Sequence, residues 1–308
     1  MAKTARGRRR RHIGRIGVGE ALLWLAPALA LILGVVLLPA IMLVDASLAE
    51  FSITGLRKGR NGIENYINVL SHPMLPRVLM NTVIWVVAVV ALTIVISLAI
   101  AQFAQKEFFG RRVLRTTIIL PWAASLVITS QVFVLLYDYN YGLLNPFLQR
   151  LGIIGGPIDW LGDDSYIRWS MIAVGVFVSL PFTIFVFLAG LSAIPSDVYE
   201  AAKIDGATGW RTYTTITLPL LRPALLIATV LNSIYVFNSF PIIYPLNDRN
   251  PGFGNDTTIT FMYKLAFKSQ EKDVGMSAAA GILNVLLILI VVSIYLKIVD
   301  PRKDESLA

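Results

Sequence analysis

Six long apolar stretches limit what this 308-residue chain can become: residues near 21–44, 78–104, 116–137, 169–196, 223–247 and 275–296, none with Asp, Glu, Lys, Arg or His in its interior. About 20 apolar residues in a helix span the hydrocarbon core of a bilayer. Backbone groups cannot go unpaired in lipid, so runs of this length are read as helices. Charged residues make up only 15% of the chain, and mean hydropathy is +0.68; a soluble domain carries roughly 25%. The expectation is an all-α integral membrane protein with six membrane helices.

The remaining residues exclude several classes. There is no cysteine, so disulfides and thiolate metal sites are unavailable. His12 and His72 flank different segments, and no metal site is expected. The formal charge of +8 is concentrated at the start, with seven of 27 Lys/Arg in the first 15 residues, including Arg8-Arg9-Arg10-Arg11. A basic cluster just before an apolar run marks a cytoplasmic flank held by anionic headgroups, so nucleic acid is not the expected partner. The first run, with 24 uncharged residues, exceeds the ~7–15 residues of a secretory h-region and reads as an uncleaved signal anchor.

Loop charge sets the orientation. With the N-terminus inside, residues 1–20, 105–115, 192–222 and 297–308 are cytoplasmic and hold 7, 4, 3 and 3 Lys/Arg, against 10 outside. That excess places both termini in the cytoplasm. The outer connection 138–168 carries Asp138, Asp159, Asp163 and Asp164 among Gly and Pro, and 248–274 follows the turn signal Asn247-Asp248-Arg249-Asn250-Pro251-Gly252.

The loop between the fourth and fifth stretches is a polar island. Pro195 closes the fourth, Asp197 and Glu200 have capping-box spacing, and Val198, Ala201, Ala202 and Ile204 supply a small apolar face. Gly206 suits a left-handed stop, and a second turn through Trp210 and Tyr213 leads to Leu218-Pro219. Helices of about ten residues are marginal alone. Such a loop either lies on the headgroups or packs into a partner's groove.

Glu200-Ala201-Ala202, Asp205-Gly206-Ala207 and Ile216-x-Leu218-Pro219 resemble the EAA loop of ABC-importer permeases. The resemblance runs from about residue 60 to 300. It includes Glu64-Asn65-Tyr66, Asn81-Thr82, Arg115 to Pro121-Trp122, Tyr141 to Asn145, Pro181-Phe182 and Ala189-Gly190-Leu191 before Ile194-Pro195. It is strongest to the carbohydrate-uptake permeases of the maltose and glycerol-phosphate type. Two departures stand out: the Gly-Gly-Pro common after the fifth span is here Asn247 to Pro251, and Phe177 replaces a frequent Trp.

The resemblance implies a type I ABC-importer transmembrane domain over residues 21–299, with its coupling loop at 196–219, between a basic segment 1–20 and a tail 300–308. It implies a bacterial cell-membrane heterodimer with a second permease, cytoplasmic P-loop ATPase subunits and an extracytoplasmic solute-binding protein. Glu200, Ala201, Ala202, Asp205, Gly206, Leu218 and Pro219 become the residues expected to meet the ATPase. No G-x-x-x-x-G-K-[ST] loop occurs in this chain. ATP and Mg are therefore assigned to a partner, and this chain is expected to catalyse nothing and bind no cofactor.

Asn232, Tyr235 and Ser239, at i, i+3 and i+7, share one helical face of the fifth stretch. A sugar offers hydroxyls to amides and hydroxyls, and CH faces to rings. Alternatively, these residues join neighbouring helices by hydrogen bonds. The resemblance implies that they contact solute, together with Trp122, Ser179 and Phe182. Gln131 and Asn284, lone polar residues in two other spans, are expected at helix–helix contacts. The function expected is inward passage of a sugar or sugar-like solute by alternating access. A permease for a glycerophosphodiester or polyamine ranks second, because the spans hold no charge to match such a solute. An integral membrane enzyme would need acid, base or metal groups at depth, and a stand-alone channel would not need the loop.

Overall fold

The computed structural model describes residues 18–250, 252–268 and 272–298. The Arg8–Arg11 run, His12 and the tail 300–308 lie outside the described residues. Within them the chain is helical apart from one small hairpin, as the apolar runs require. Helices α1 (Val18–Leu31) and α2 (Leu38–Ser47) are joined by a π-helical stretch, Ile32–Leu37, into one 29-residue apolar rod, Gly19–Ser47. α4 (Leu75–Gln105), α8 (Ile167–Ser192) and α15 (Val274–Ile298) are uninterrupted.

The third and fifth stretches are not continuous helices. α5 (Arg111–Ala123) and α6 (Leu126–Leu136) meet at 97°, with Ala124 and Ser125 extended. Pro121 lacks an N–H and weakens the last turn of α5. The fifth stretch divides into α12 (Arg222–Phe237) and α13 (Phe240–Asn247) at Asn238-Ser239. Pro241 drives this break by disfavouring helical backbone at Phe240. Four helices are long and apolar enough to cross a membrane, and six spans result when the α5–α6 pair and the bent pair ending in α12 each count as one.

The core is a three-helix contact of α4, α8 and α12. Gly175 of α8 lies against Trp85, where an added Cβ would come within 2.6 Å of the indole, and Trp85 Nε1 donates to Val236 O at 2.9 Å. Asn284 behaves as the sequence suggests, donating to Thr258 O at 3.2 Å. Gln131 does not: it is exposed on α6 and touches no other helix of this chain.

Motif residues away from the polar island prove to be staples at the far end of the bundle. β1 (Ala49–Phe51) and β2 (Arg57–Arg60) pair antiparallel. Asn65, on α3 (Glu64–Leu70), donates to Ser47 O and Ala49 O at 2.9 Å, and the Tyr66 hydroxyl bonds Ser47 Oγ. Asn81 donates to Gly254 O and Asp256 O, while Thr82 Oγ1 accepts from Thr258 N. Asn145, on α7 (Leu144–Arg150), accepts from Trp160 Nε1 at 2.9 Å.

A buried ion pair completes this end. Lys264 of α14 (Thr258–Phe267) lies 3.0 Å from Asp256 and donates to Asn250 O and Gly252 O, its side chain 6% exposed and that of Asp256 fully buried. Burial pushes the Asp256 carboxyl up, against the pull of Lys264. Lys264→Met strands a buried carboxylate and is expected to cost about 3–5 kcal/mol. A group with a raised folded-state pKa favours folding while protonated and loses that benefit as pH rises through its titration. The melting temperature of the variant in detergent should therefore fall further below wild type at pH 8 than at pH 5. Equal losses at both values would show that Asp256 is not the stranded group.

Candidate functional site

Two sites take shape, one within the bundle and one at the polar loop. Within the bundle, Trp122 from α5, Val178, Ser179 and Phe182 from α8, and Leu231, Asn232 and Tyr235 from α12 line a cavity of about 300 Å³. Trp122 and Phe182 stand 6.3 Å apart at 51°, each beside a proline, Pro121 or Pro181. The prolines place both rings where helix regularity is lost. Asn232 is buried and donates to Thr183 Oγ1 at 2.7 Å and Ala228 O at 3.0 Å, which leaves its Oδ1 without a hydrogen bond. Ser179 Oγ donates to Gly175 O and keeps its lone pairs. The Tyr235 hydroxyl and Trp122 Nε1 have no partner among the described residues. The cavity thus offers two acceptors, a donor on Trp122, a hydroxyl on Tyr235 and flanking rings, with no charge.

Of the six residues put forward from the sequence, five line this cavity and Ser239 does not. α12 ends at Phe237, so the i+7 step from Asn232 crosses a break. Ser239 is buried there, its Oγ turned back to Tyr235 O at 3.0 Å and its carbonyl accepting from Ile242 and Ile243. Asn232 serves both readings at once, since its amide ties α12 to α8 while its oxygen faces the cavity. Val178 and Leu231 also line the cavity, and nothing in the sequence distinguishes them from other apolar span residues.

The polar loop folds as α9 (Ser196–Ile204), α10 (Gly209–Thr212), a π-helical turn Tyr213–Thr217 and α11 (Leu218–Leu220), bent by 63° into α12. The capping box is absent: Pro195 is the N-cap, and Asp197 lies in the first turn, where its charge still suits the helix dipole. The stop at Gly206 is present, with φ +72°; Ala207 N donates to Ala202 O and Gly206 N to Lys203 O, a Schellman pair. Tyr199 and Thr217 hydroxyls lie 3.4 Å apart and tie the two halves together.

The apolar residues of α9 do not share one face. Ala202 is buried and Val198 half-buried, whereas Ala201 and Ile204 point outward. Glu200, Asp205, Gly206 and Pro219 are exposed, and Leu218 is half-buried. Ile204 and Trp210, 86% and 75% exposed, stand free of the chain they belong to. Large apolar side chains bared on a short polar loop mark a contact surface.

Residues 93–305 match the family of binding-protein-dependent transport system inner membrane components. The chain belongs to that family. It is 36% identical over 280 residues to a probable ABC transporter permease protein of Brucella suis, covering 91% of this chain and 96% of that one. It is 35% identical over 283 residues to the trehalose/maltose transport system permease protein MalF of Thermococcus litoralis, covering 92% and 94%. The lactose transport system permease protein LacF of Rhizobium radiobacter is 30% identical over 310 residues, covering 99% and 100%. The fold matches a chain of a bacterial ABC transporter involved in import of the acidic polysaccharide alginate, with TM-score 0.79, 22% identity, and 92% and 96% coverage. A membrane permease subunit of an ABC importer is therefore the class of this protein.

Proposed function

We propose that this permease forms one half of the membrane pathway of a binding-protein-dependent importer and carries a sugar or sugar-like solute into the cytoplasm. The observation that carries the sugar reading is the uncharged cavity, with its free Asn232 oxygen, Tyr235 hydroxyl and Trp122–Phe182 rings. Amides and hydroxyls meet sugar hydroxyls, and rings meet the CH faces. About 300 Å³ lies at the low end for ligand pockets and suits a small sugar unit. The relatives named for trehalose/maltose and lactose support the same class. A polyamine or glycerophosphodiester would enter this cavity with its charge unmatched.

The loop from Glu200 to Pro219 is read as the seat of the ATPase, with Glu200, Ala201, Asp205, Gly206, Ile204 and Trp210 facing it and Ala202, Leu218 and Pro219 shaping the turn. A second permease would close the pathway, and an extracytoplasmic binding protein would deliver solute at the end formed by α3, α7 and α14. Both termini are placed in the cytoplasm by loop charge. ATP and Mg bind the ATPase, whose closure moves the loop and switches the cavity between the two sides.

The test is reconstitution of this chain in proteoliposomes with the second permease and ATPase of its own system. Its binding protein, loaded in turn with maltose, trehalose, lactose and an anionic oligosaccharide, should stimulate ATP hydrolysis and uptake with a neutral sugar. Stimulation only by the anionic sugar, or by none, sinks the neutral-sugar reading.

A further inference from the structure

Above the cavity, four aromatic rings form a continuous ladder on α13 and α14. Phe240 and Tyr244, one turn apart on α13, are stacked with centroids 5.0 Å apart and planes at 17°. Tyr263 of α14 lies 4.8 Å from both, and Phe267 follows at 4.9 Å. The first three are half-buried, and Phe267 is 62% exposed. At the far end Lys268 pairs with Asp248 at 3.6 Å, both side chains about half exposed, and the Tyr244 hydroxyl interacts with each. At the near end the ladder starts at the α12–α13 break, five residues beyond Tyr235 of the cavity.

The two ends say what solvent this face meets. Asn238 sits in the break with an exposed side chain; its amide donates to Ile234 O, and its Oδ1 has no bond. Broken backbone at membrane depth survives where it is buried in protein or lines a water-filled space, and not against lipid. An exposed ion pair at the other end is likewise unsuited to acyl chains. A lipid-facing aromatic belt would gather at one depth. This ladder instead runs along the helices, from the break to the loop end.

We propose that Phe240, Tyr244, Tyr263 and Phe267, ending at Asp248–Lys268, form an entry track along which a carbohydrate slides by its apolar faces into the Trp122–Tyr235 cavity. Rings half-buried at one edge keep their positions while offering a face to a sugar ring. The ion pair supplies an acceptor and a donor for hydroxyls at the mouth. Tyr hydroxyls along the track replace water as the sugar descends. The inference rests on the inward sugar-transport reading and adds a second site to it, remote from the cavity.

Because the chain contains no cysteine, single thiols report directly. Tyr244→Cys, Tyr263→Cys and Phe267→Cys are made in the full importer in proteoliposomes, and labelled with a membrane-impermeant methanethiosulfonate from the binding-protein side. Phe267, being exposed, tolerates the change, so failure of the other two to fold leaves the test intact. Labelling is expected at each folded position, slowed several-fold by binding protein loaded with a sugar from the panel of maltose, trehalose and lactose. No labelling in the assembled importer means that the second permease or lipid covers the face, and overturns the track. Labelling that no sugar slows overturns the carbohydrate assignment. Tyr235→Ala separates the two sites. If it abolishes uptake while Phe267→Cys stays unlabelled, the track alone fails. If uptake is unchanged while labelling is slowed by sugar, the cavity reading alone fails.

Discussion

Gly206→Val is expected to reduce ATP-driven uptake by about 5- to 30-fold without reducing the amount of permease in the membrane. Gly206 holds φ +72° between α9 and α10, and no other group of the chain lies within 4 Å of where its Cβ would sit. Substitution therefore meets no clash inside the protein, and its cost is conformational. A left-handed residue with a Cβ costs roughly 1–2 kcal/mol, which shifts the loop's population by a factor of about 5–30 but is far too little to unfold a bundle closed by α4, α8 and α12. Gly206→Asn is the matching control, because asparagine tolerates this backbone region. Recovery with asparagine points to the Schellman turn as the element that matters. Equal loss with both points to a partner surface so close that no side chain fits. Uptake that survives valine at normal expression would remove the loop from the coupling path altogether. Binding-protein-stimulated ATP hydrolysis, measured in parallel, separates loss of coupling from loss of solute.

How far the sequence carries depends on whether the determining force is local. α4, α8 and α15 are legible because each is an unbroken apolar run with no competing signal. The Gly206 stop is legible because only the backbone of that residue decides it. The breaks at Ala124-Ser125 and Asn238-Ser239 are concealed by apolar composition on both sides, although Pro121 and Pro241 mark where helical bonding fails. The hairpin at 49–60 is held by Asn65 and by Arg57, 2.6 Å from Asp45, partners that no local pattern connects. The wrong placement of Ser239 and the right grouping of Asn232 with Tyr235 have one origin, a periodicity that is valid up to Phe237 and no further. Trp122, Ser179 and Phe182 converge from two other helices, and only resemblance to other permeases put them forward. In the loop, exposure of Ile204 and Trp210 could not be anticipated, since an apolar residue in a short helix is ordinarily assigned inward.

Replacing Trp122 and Tyr235 together by alanine is expected to lower uptake at subsaturating solute by about 100-fold or more, with the ATPase still assembled. Each ring contributes on the order of 1 kcal/mol of stacking beyond its burial, and Tyr235 adds a hydroxyl bond of about 1 kcal/mol. Loss of both groups thus approaches 3 kcal/mol, or two decades in affinity. The substitutions should leave the fold intact. Trp122 is 58% exposed and Tyr235 38% exposed, and the interhelical bond from Asn232 to Thr183 does not involve either. Asn232→Ala makes the complementary change, because it removes that bond together with the free oxygen. Its melting temperature in detergent should drop as well as its uptake, whereas the Trp122/Tyr235 variant should lose uptake alone. Should the double variant take up solute normally, these rings serve helix packing and the solute path lies elsewhere. Should it lose stability in step with Asn232→Ala, the cavity is a packing defect beside two prolines rather than a place for a solute.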